Sequence, residues 1–597
     1  MGGLDYWLVH ARWTIPPTLT LWFIFRKLRT RRDVYKTCFL IVIAVSATIP
    51  WDSYLIRNRI WSYPESSVVG PTLLAIPYEE VFFFFVQTYI TSTLYAVLTR
   101  PVVHAVLLPR TPEEGRTTRW VGTAGFLAIL AVSLAKLGEG GEGTYLALIV
   151  GWVSPFLALL WFISSTHITS MPRSTILLSI LVPTFYLWEC DARALQRGTW
   201  VIEQGTKVGL SYRGLELEEA VFFLLTNVMI VFGLATCDYC LAVYDLRSYK
   251  TGKSSAFPPV SQYLPIILQQ PEEQQRERID DLRAAIEILS VHSKSFSTAS
   301  MVFDGRLRLD LLALYAWCRV CDDLIDNAST VEEAETNISR ISSALDLIYP
   351  PSSPSSLPSP VLSSTLKSVL PGLSEPERGA FRLLSLLPIT RPPLEELLEG
   401  FRTDLSFLAF HDKSSTSSSL SNGSSHSSKK RELPIRTDDD LLDYANNVAS
   451  SVADLCVQLV WAHCSPSMDS PPPEERQKVL SAAREMGQAL QLVNIARDVP
   501  ADLKISRIYL PGKGLDVPVP ELTEERRELL RRATLMAETS RGAIERLPSD
   551  ARGGIRAACD VYLSIGSAVE KALDEGRVHE RARVRKGTRA WKMWKAL

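Results

Sequence analysis

The sequence predicts an all-α protein in two parts: a seven-span transmembrane helical domain with an internal repeat, then a soluble all-α domain. Three observations predict it. Long apolar runs dominate the 597 residues up to about position 240, and amphipathic, helix-periodic sequence with polar loops follows. Two acidic clusters with four-residue spacing lie in the second part, at 322–326 and 494–502. A Glu-Glu pair entering an apolar run occurs twice in the first part, at 79–80 and 218–219.

The apolar segments lie near 4–25, 37–51, 72–98, 120–137, 144–164, 174–189 and 214–236. Spanning a bilayer takes roughly 18–20 apolar residues, so the second and sixth are short. The first is too long and wrongly flanked for a cleaved signal peptide. Arg26, Arg29, Arg31 and Arg32 follow it and place that connection in the cytosol. Arg100, Arg110, Arg116 and Arg119 put the third connection on the same side, and the acidic stretch 138–143 falls opposite. A multi-pass protein results, with its N-terminus outside the cytosol and its soluble half inside.

A shift of 139 superposes two stretches of the membrane half. Asp52 falls on Asp191, Trp61 on Trp200, Val69-Gly70 on Val208-Gly209, Glu79-Glu80 on Glu218-Glu219, and Phe83-Phe84 on Phe222-Phe223. The copies share a membrane orientation, so a parallel repeat is expected. They are not identical: Pro77 falls on Glu216, and Trp51 on Cys190 unless the register slips by two toward Trp188. Ionisable groups inside a span are costly and point to function. A protonated carboxyl beside aromatic rings is suited to giving a proton to an alkene, and a carboxylate to removing one. Glu79, Glu80, Glu218 and Glu219 are the acid–base candidates, with Asp52 and Asp191 in support. The alternative has the glutamates at helix N-termini, facing headgroups and the helix dipole.

In the soluble half, Asn494, Asp498 and Asp502 recur every four residues and share a helix face. Asp322 and Asp326, with Asp323 between them, form the partner cluster. Oxygen ligands of this kind suit Mg²⁺ shared with diphosphate. Arg319, Arg497, Lys504 and Arg507 add cationic contacts for the same anion. Solvated helix faces are the alternative for each cluster taken alone. A net charge of −1 gives no bias toward nucleic acid, and the nine cysteines show no disulfide framework. Cys237-x-x-Cys240 and Cys318-x-x-Cys321 lie within helical runs and read as packing rather than zinc sites. Ser/Pro-rich stretches at 350–364 and 412–430 are expected to be disordered surface insertions. The basic end, Arg581 to Lys595 with Trp591 and Trp594, suits either a membrane surface or solvent.

These residues resemble known families. The segments around Asp322 and Asp498 resemble the paired aspartate motifs of squalene and phytoene synthases. His292-Ser-Lys-Ser-Phe296, Gly400-Phe-Arg402-Thr-Asp404 and Tyr444-Ala-Asn-Asn-Val-Ala-Ser-Ser-Val452 resemble the other motifs of that isoprenoid-synthase fold. Ile76-Pro-Tyr-Glu79-Glu80-Val-Phe and Leu217-Glu218-Glu219-Ala-Val-Phe resemble the small membrane lycopene cyclases, and the domain order is similar to that of the fungal bifunctional lycopene cyclase/phytoene synthases. The resemblance implies a cyclase domain over 1–240, a linker over 241–274 and a synthase domain over 275–597.

It implies condensation of two geranylgeranyl diphosphates to phytoene through a cyclopropylcarbinyl diphosphate. Mg²⁺ (or Mn²⁺) would be held by Asp322, Asp323, Asp326, Asn494, Asp498 and Asp502. Phe296, Tyr315 and Gln491 would contact substrate, beside the four cations. It also implies redox-neutral cyclisation of lycopene, and a separate desaturase acting between the two steps. Whether a reduced flavin assists the cyclase, and whether one or both ends are cyclised, the sequence leaves open. An opsin-like receptor is excluded by the absence of lysine from Gly214 to Asp238. A synthase held by an idle membrane anchor, and a scaffold for other enzymes, are the remaining alternatives.

Overall fold

The computed structural model describes residues 3–251, 257–258, 260–268, 273–350, 357–417, 433–464 and 472–597. The expected insertions lie partly outside these, at 351–356 and 418–430. The chain forms two compact units, Met1–Ile279 and Asp280–Leu597.

In the first unit, six helices are long and apolar enough to cross a membrane. They are α1 (Arg31–Arg57), α2 (Tyr78–Thr99), α3 (Arg116–Glu139), α4 (Thr144–Ser170), α5 (Arg173–Arg197) and α6 (Leu217–Thr251). The two segments that read as short are extended by polar flanks. In α1, Thr30 caps Asp33 reciprocally, and Arg57 closes the helix. The count differs from seven because a π-helical stretch, His10–Thr14, interrupts the first apolar segment between Asp5–Val9 and Ile15–Phe25. Such π-bulges tend to mark functional sites. The α6 helix continues past residue 240, so the expected domain edge falls inside a helix.

Short strands punctuate the bundle at one end. They are β1 (Trp61–Ser62), β2 (Thr72–Leu73), β3 (Ile76–Pro77), β4 (Val201–Ile202), β5 (Ser211–Tyr212) and β6 (Leu215–Glu216). The β2–β3 hairpin pairs Thr72 with Pro77, and β5–β6 pairs Ser211 with Glu216, 139 residues further on. Leu74 and Ala75 turn the first hairpin with φ of 52° and 78°, a left-handed conformation costly for residues with a Cβ. The β1 and β4 strands are antiparallel, with Ser62 opposite Val201, again 139 apart. Deeper in the bundle Gln87 Nε2 donates to Thr226 Oγ1 at 2.9 Å, across the same interval.

The other end of the bundle is tied by buried ion pairs. Lys36 Nζ lies 2.6 Å from Asp238 Oδ1, and Arg32 binds both oxygens of Asp245. Tyr95 donates to Asp238 Oδ2 at 2.8 Å. By contrast α3 is only 11 % buried across its apolar window, exposing Trp120, Val121, Leu127 and Val132. A helix so apolar and so uncovered is built for a hydrocarbon surround.

The second unit is a helical bundle. Its principal helices are α7 (Gly305–Asp326), α8 (Pro392–Ser417), α9 (Ser451–Cys464), α10 (Pro473–Asp502), α11 (Ser549–Asp574) and α12 (Lys586–Ala596). Gly487 lets α10 approach the backbone at Ala449 and Ser450, where a Cβ would meet atoms at 2.8 Å. The basic C-terminal end forms α12, in which Trp591 stacks on Trp594 and stays 60 % exposed.

Candidate active sites

In the membrane unit the four glutamates stand in the first turns of α2 and α6, where the helix dipole favours negative charge. They do not face headgroups. Glu79, Glu80, Glu218 and Glu219 are 1, 5, 0 and 1 % exposed, enclosed by protein. Glu79 Oε1 accepts from the Val69 N–H at 2.8 Å, and Glu218 Oε1 from the Val208 N–H at 2.6 Å. Glu80 Oε2 accepts from the Tyr6 hydroxyl and, at 2.7 Å, from Tyr63. Glu219 Oε1 accepts from Tyr145 at 2.7 Å.

The supporting aspartates differ. Asp191 Oδ1 accepts from Trp200 Nε1 at 3.2 Å. Asp52 is fully buried, and neither of its oxygens has a partner. Glu80, Glu219, Asp191, Tyr6, Tyr63, Trp61, Trp200, Phe83 and Phe222 line one small cavity of about 30 Å³. Pairwise spacing brought out the carboxyls, but the phenols were not singled out. Tyr6 and Tyr145 do carry the same signal, since they too are 139 residues apart.

In the soluble unit the two aspartate clusters sit at the C-terminal ends of α7 and α10. Arg507, just past α10, reaches across to Asp326 Oδ1 at 2.8 Å. Arg319 binds Asp322 at 2.8 Å and also Asp323. Arg497 Nε lies 2.8 Å from Asp498 Oδ1. Lys504 is exposed on the turn after α10. Asp404 was quoted only as part of a motif. It is buried beneath the Tyr509 and Tyr444 hydroxyls at 2.7 and 3.1 Å.

Burial dominates the electrostatics. It pushes Asp322 up to about 7, with Asp326 adding to the effect. It also pushes Asp502 up to about 7, assisted by Asp498, and Asp404 up to about 6. Burial acts the same way on Asp498, but Arg497 and Arg581 outweigh it and hold that carboxyl below its usual range.

Among the described residues no three acidic, His or Cys side chains already converge as a metal cage. The aspartates are instead drawn to arginines. The donor set nonetheless fits a hard divalent ion: every candidate ligand is an oxygen, and the buried Oδ1 of Asn494 has no partner.

A cavity of about 360 Å³ adjoins these helix ends. Phe296 and Tyr315, stacked at 4.8 Å, form part of its wall, with Gln491 and Asn494 on α10. Elsewhere it is walled by small and apolar groups, among them Ala453, Ala482, Gly487, Ala543 and Ile544.

Comparison with known proteins finds a different family in each unit. Residues 289–588 match the squalene/phytoene synthase family and residues 6–98 the lycopene cyclase family. A bifunctional lycopene cyclase/phytoene synthase of Leptosphaeria maculans is 41 % identical over the whole of both chains. One from Phaeosphaeria nodorum is 40 % identical, covering all of this chain and 99 % of its own. A dehydrosqualene synthase crystal structure aligns with 54 % of this chain and 96 % of its own, at 20 % identity and a TM-score of 0.38. Matching along its full length at this identity, the chain belongs to the bifunctional lycopene cyclase/phytoene synthase family.

Proposed function

We propose that the soluble unit condenses two molecules of geranylgeranyl diphosphate to phytoene and that the membrane unit cyclises lycopene. The observation that carries this reading is the meeting of the two aspartate helices beside a largely apolar cavity that Asn494 of the second cluster helps to line.

Asp322, Asp326, Asp498 and Asp502, with Asp323 and Asn494, would hold Mg²⁺, with Mn²⁺ as substitute. Bound there, the metal supplies Lewis acidity toward the diphosphate leaving group. Arg319, Arg497, Arg507 and Lys504 orient the diphosphate and take up the charge it gains on leaving. Phe296, Tyr315 and the small residues of the cavity exclude water from the allylic cation and present aromatic faces to it. Proton loss from the final cation gives phytoene.

In the membrane unit, Glu79, Glu80, Glu218 and Glu219 act as the acid–base set, supported by Asp52 and Asp191. One carboxyl protonates the terminal alkene of lycopene, the next double bond closes the ring, and a carboxylate removes a ring proton. Atoms and electrons balance without an oxidant. The recurrence of hairpins, strand pairing and carboxylate partners at an interval of 139 supports two parallel copies of one unit. The helical run 5–25 then corresponds to α4 and supplies the seventh span. The arginines that follow Phe25 and those from Arg100 to Arg119 favour a cytosolic side for those connections, and with seven spans for the soluble unit. A separate desaturase acts between the two steps.

The test is a pigment profile. The Asp322→Ala chain, expressed in a bacterial host that accumulates lycopene, is expected to form γ- or β-carotene. The Glu80→Gln chain, given geranylgeranyl diphosphate and Mg²⁺, is expected to form phytoene. Lycopene left unchanged by a membrane-inserted Asp322→Ala chain would reduce the first unit to an anchor.

A further inference from the structure

We infer that the two copies in the membrane unit build one catalytic cavity on a two-fold axis, so both ends of a polyene are cyclised in the same place, one after the other. This rests on the cyclase reading above.

A duplicated Glu-Glu motif would ordinarily suggest two sites, one per ring. The contacts between the copies argue otherwise. In β1–β4 the residue opposite Ser62 is its own counterpart, Val201. Lower in the bundle Gln87 bonds its own counterpart, Thr226. A residue that meets its counterpart lies on the axis relating the copies, as in an isologous interface. These contacts mark two points on that axis. The small cavity is lined by both members of three counterpart pairs: Trp61 and Trp200, Glu80 and Glu219, Phe83 and Phe222. A cavity that straddles the axis is single, whereas a cavity off it would have a twin.

The lining is lopsided toward the first helix, with Tyr6, Val9, His10 and Thr14 and without their counterparts. The polyene tail therefore leaves past the π-helical stretch at His10–Thr14.

The two glutamates are not equivalent. Glu80 receives two phenolic hydrogen bonds and Glu219 one, because the counterpart of Tyr63 is Ile202. Donors stabilise negative charge, so Glu80 is the carboxylate that accepts the ring proton and Glu219 the acid that gives one to the alkene. Each turnover moves a proton from Glu219 to Glu80, and its return across the shared cavity resets the pair.

The experiment compares the wild-type chain with Glu80→Gln and Glu219→Gln in a lycopene-accumulating host, with immunoblots of the membrane fraction. One shared site requires each variant to lose all cyclised ends together, by at least about a hundredfold, leaving lycopene and no monocyclic product. Should either glutamine variant destabilise the bundle, Tyr6→Phe and Tyr145→Phe remove only a hydroxyl. Each is then expected to slow the first and second ring closures by the same factor. Monocyclic carotene persisting in either glutamine variant, or a changed ratio of first to second closure rates in either phenylalanine variant, overturns the inference and leaves the cyclase reading intact. A wild-type chain that leaves lycopene untouched removes both.

Discussion

Arg581 lies across Asp498, its Nε 2.7 Å from one carboxylate oxygen and its Nη2 3.1 Å from the other. With Arg497 on the same carboxylate, a proposed metal ligand is held by two guanidinium groups. Metal can engage Asp498 only as Arg581 lets go. Arg581 is 57 % exposed at its side chain, so the pair contributes at most about 1 kcal/mol. Arg581→Ala is therefore expected to tighten Mg²⁺ binding to the diphosphate-free protein by up to about fivefold. Calorimetric titration of both proteins measures this, and unchanged affinity would mean the pair does not compete with metal.

Metal binding should also depend on pH. Asp322 and Asp502, raised to about 7 mainly by burial, are largely protonated at pH 6. Binding must displace those protons. The Mg²⁺ concentration for half-maximal phytoene synthesis is expected to rise about tenfold or more per pH unit below 7 and to level off above 8. The same raised values make the metal-free soluble unit lose stability as pH rises from about 4 to 7, because the folded state there holds protons the unfolded state has released. Thermal melts in chelator at pH 5.5 and 7.5 should rank in that order.

Asp310 gives the opposite sign. It is buried with Arg306 and His463, whose charges outweigh the burial and lower its proton affinity. Its stabilisation is present above the usual aspartate range and lost as pH falls through its folded value. Asp310→Asn removes the buried carboxylate that binds both Arg306 and His463 and is expected to cost about 3–5 kcal/mol, readable by denaturant titration of the synthase activity.

Gly487 is a packing constraint at the cavity. Gly487→Ala drives a methyl group into the backbone at Ala449 and Ser450 and should cost about 1–3 kcal/mol. Enlarging the wall instead, with Ala453→Phe, is expected to cut the rate with geranylgeranyl diphosphate more than with a shorter prenyl diphosphate. Parallel assays with both substrates test it.

The acidic helices were legible because four-residue spacing is a local property of a helix, and α7 and α10 present it as read. The carboxyls of the membrane unit were legible through their recurrence. Their partners were less so. Tyr6 reaches Glu80 across 74 residues and Arg581 reaches Asp498 across 83, and no local pattern couples such pairs. The π-helical stretch at His10–Thr14 was not legible, because it shares the composition of its flanks and differs only in hydrogen bonding. Arg319, Arg497 and Arg507 were read as contacts for an anion, and their pairing with Asp322, Asp498 and Asp326 was not foreseen.

The pairing of Ser62 with Val201 bears on ancestry. On the two-copy reading proposed above, such self-complementary contacts are what a chain that once assembled with an identical partner would leave behind, each subunit giving half of a shared chamber. Joining them in one gene freed each half to change alone. The tyrosine at position 63, matched by isoleucine at 202, is the mark of that freedom: a symmetric ancestor had to put the same groups on both carboxyls, whereas the fused descendant can specialise one for giving a proton and the other for taking it.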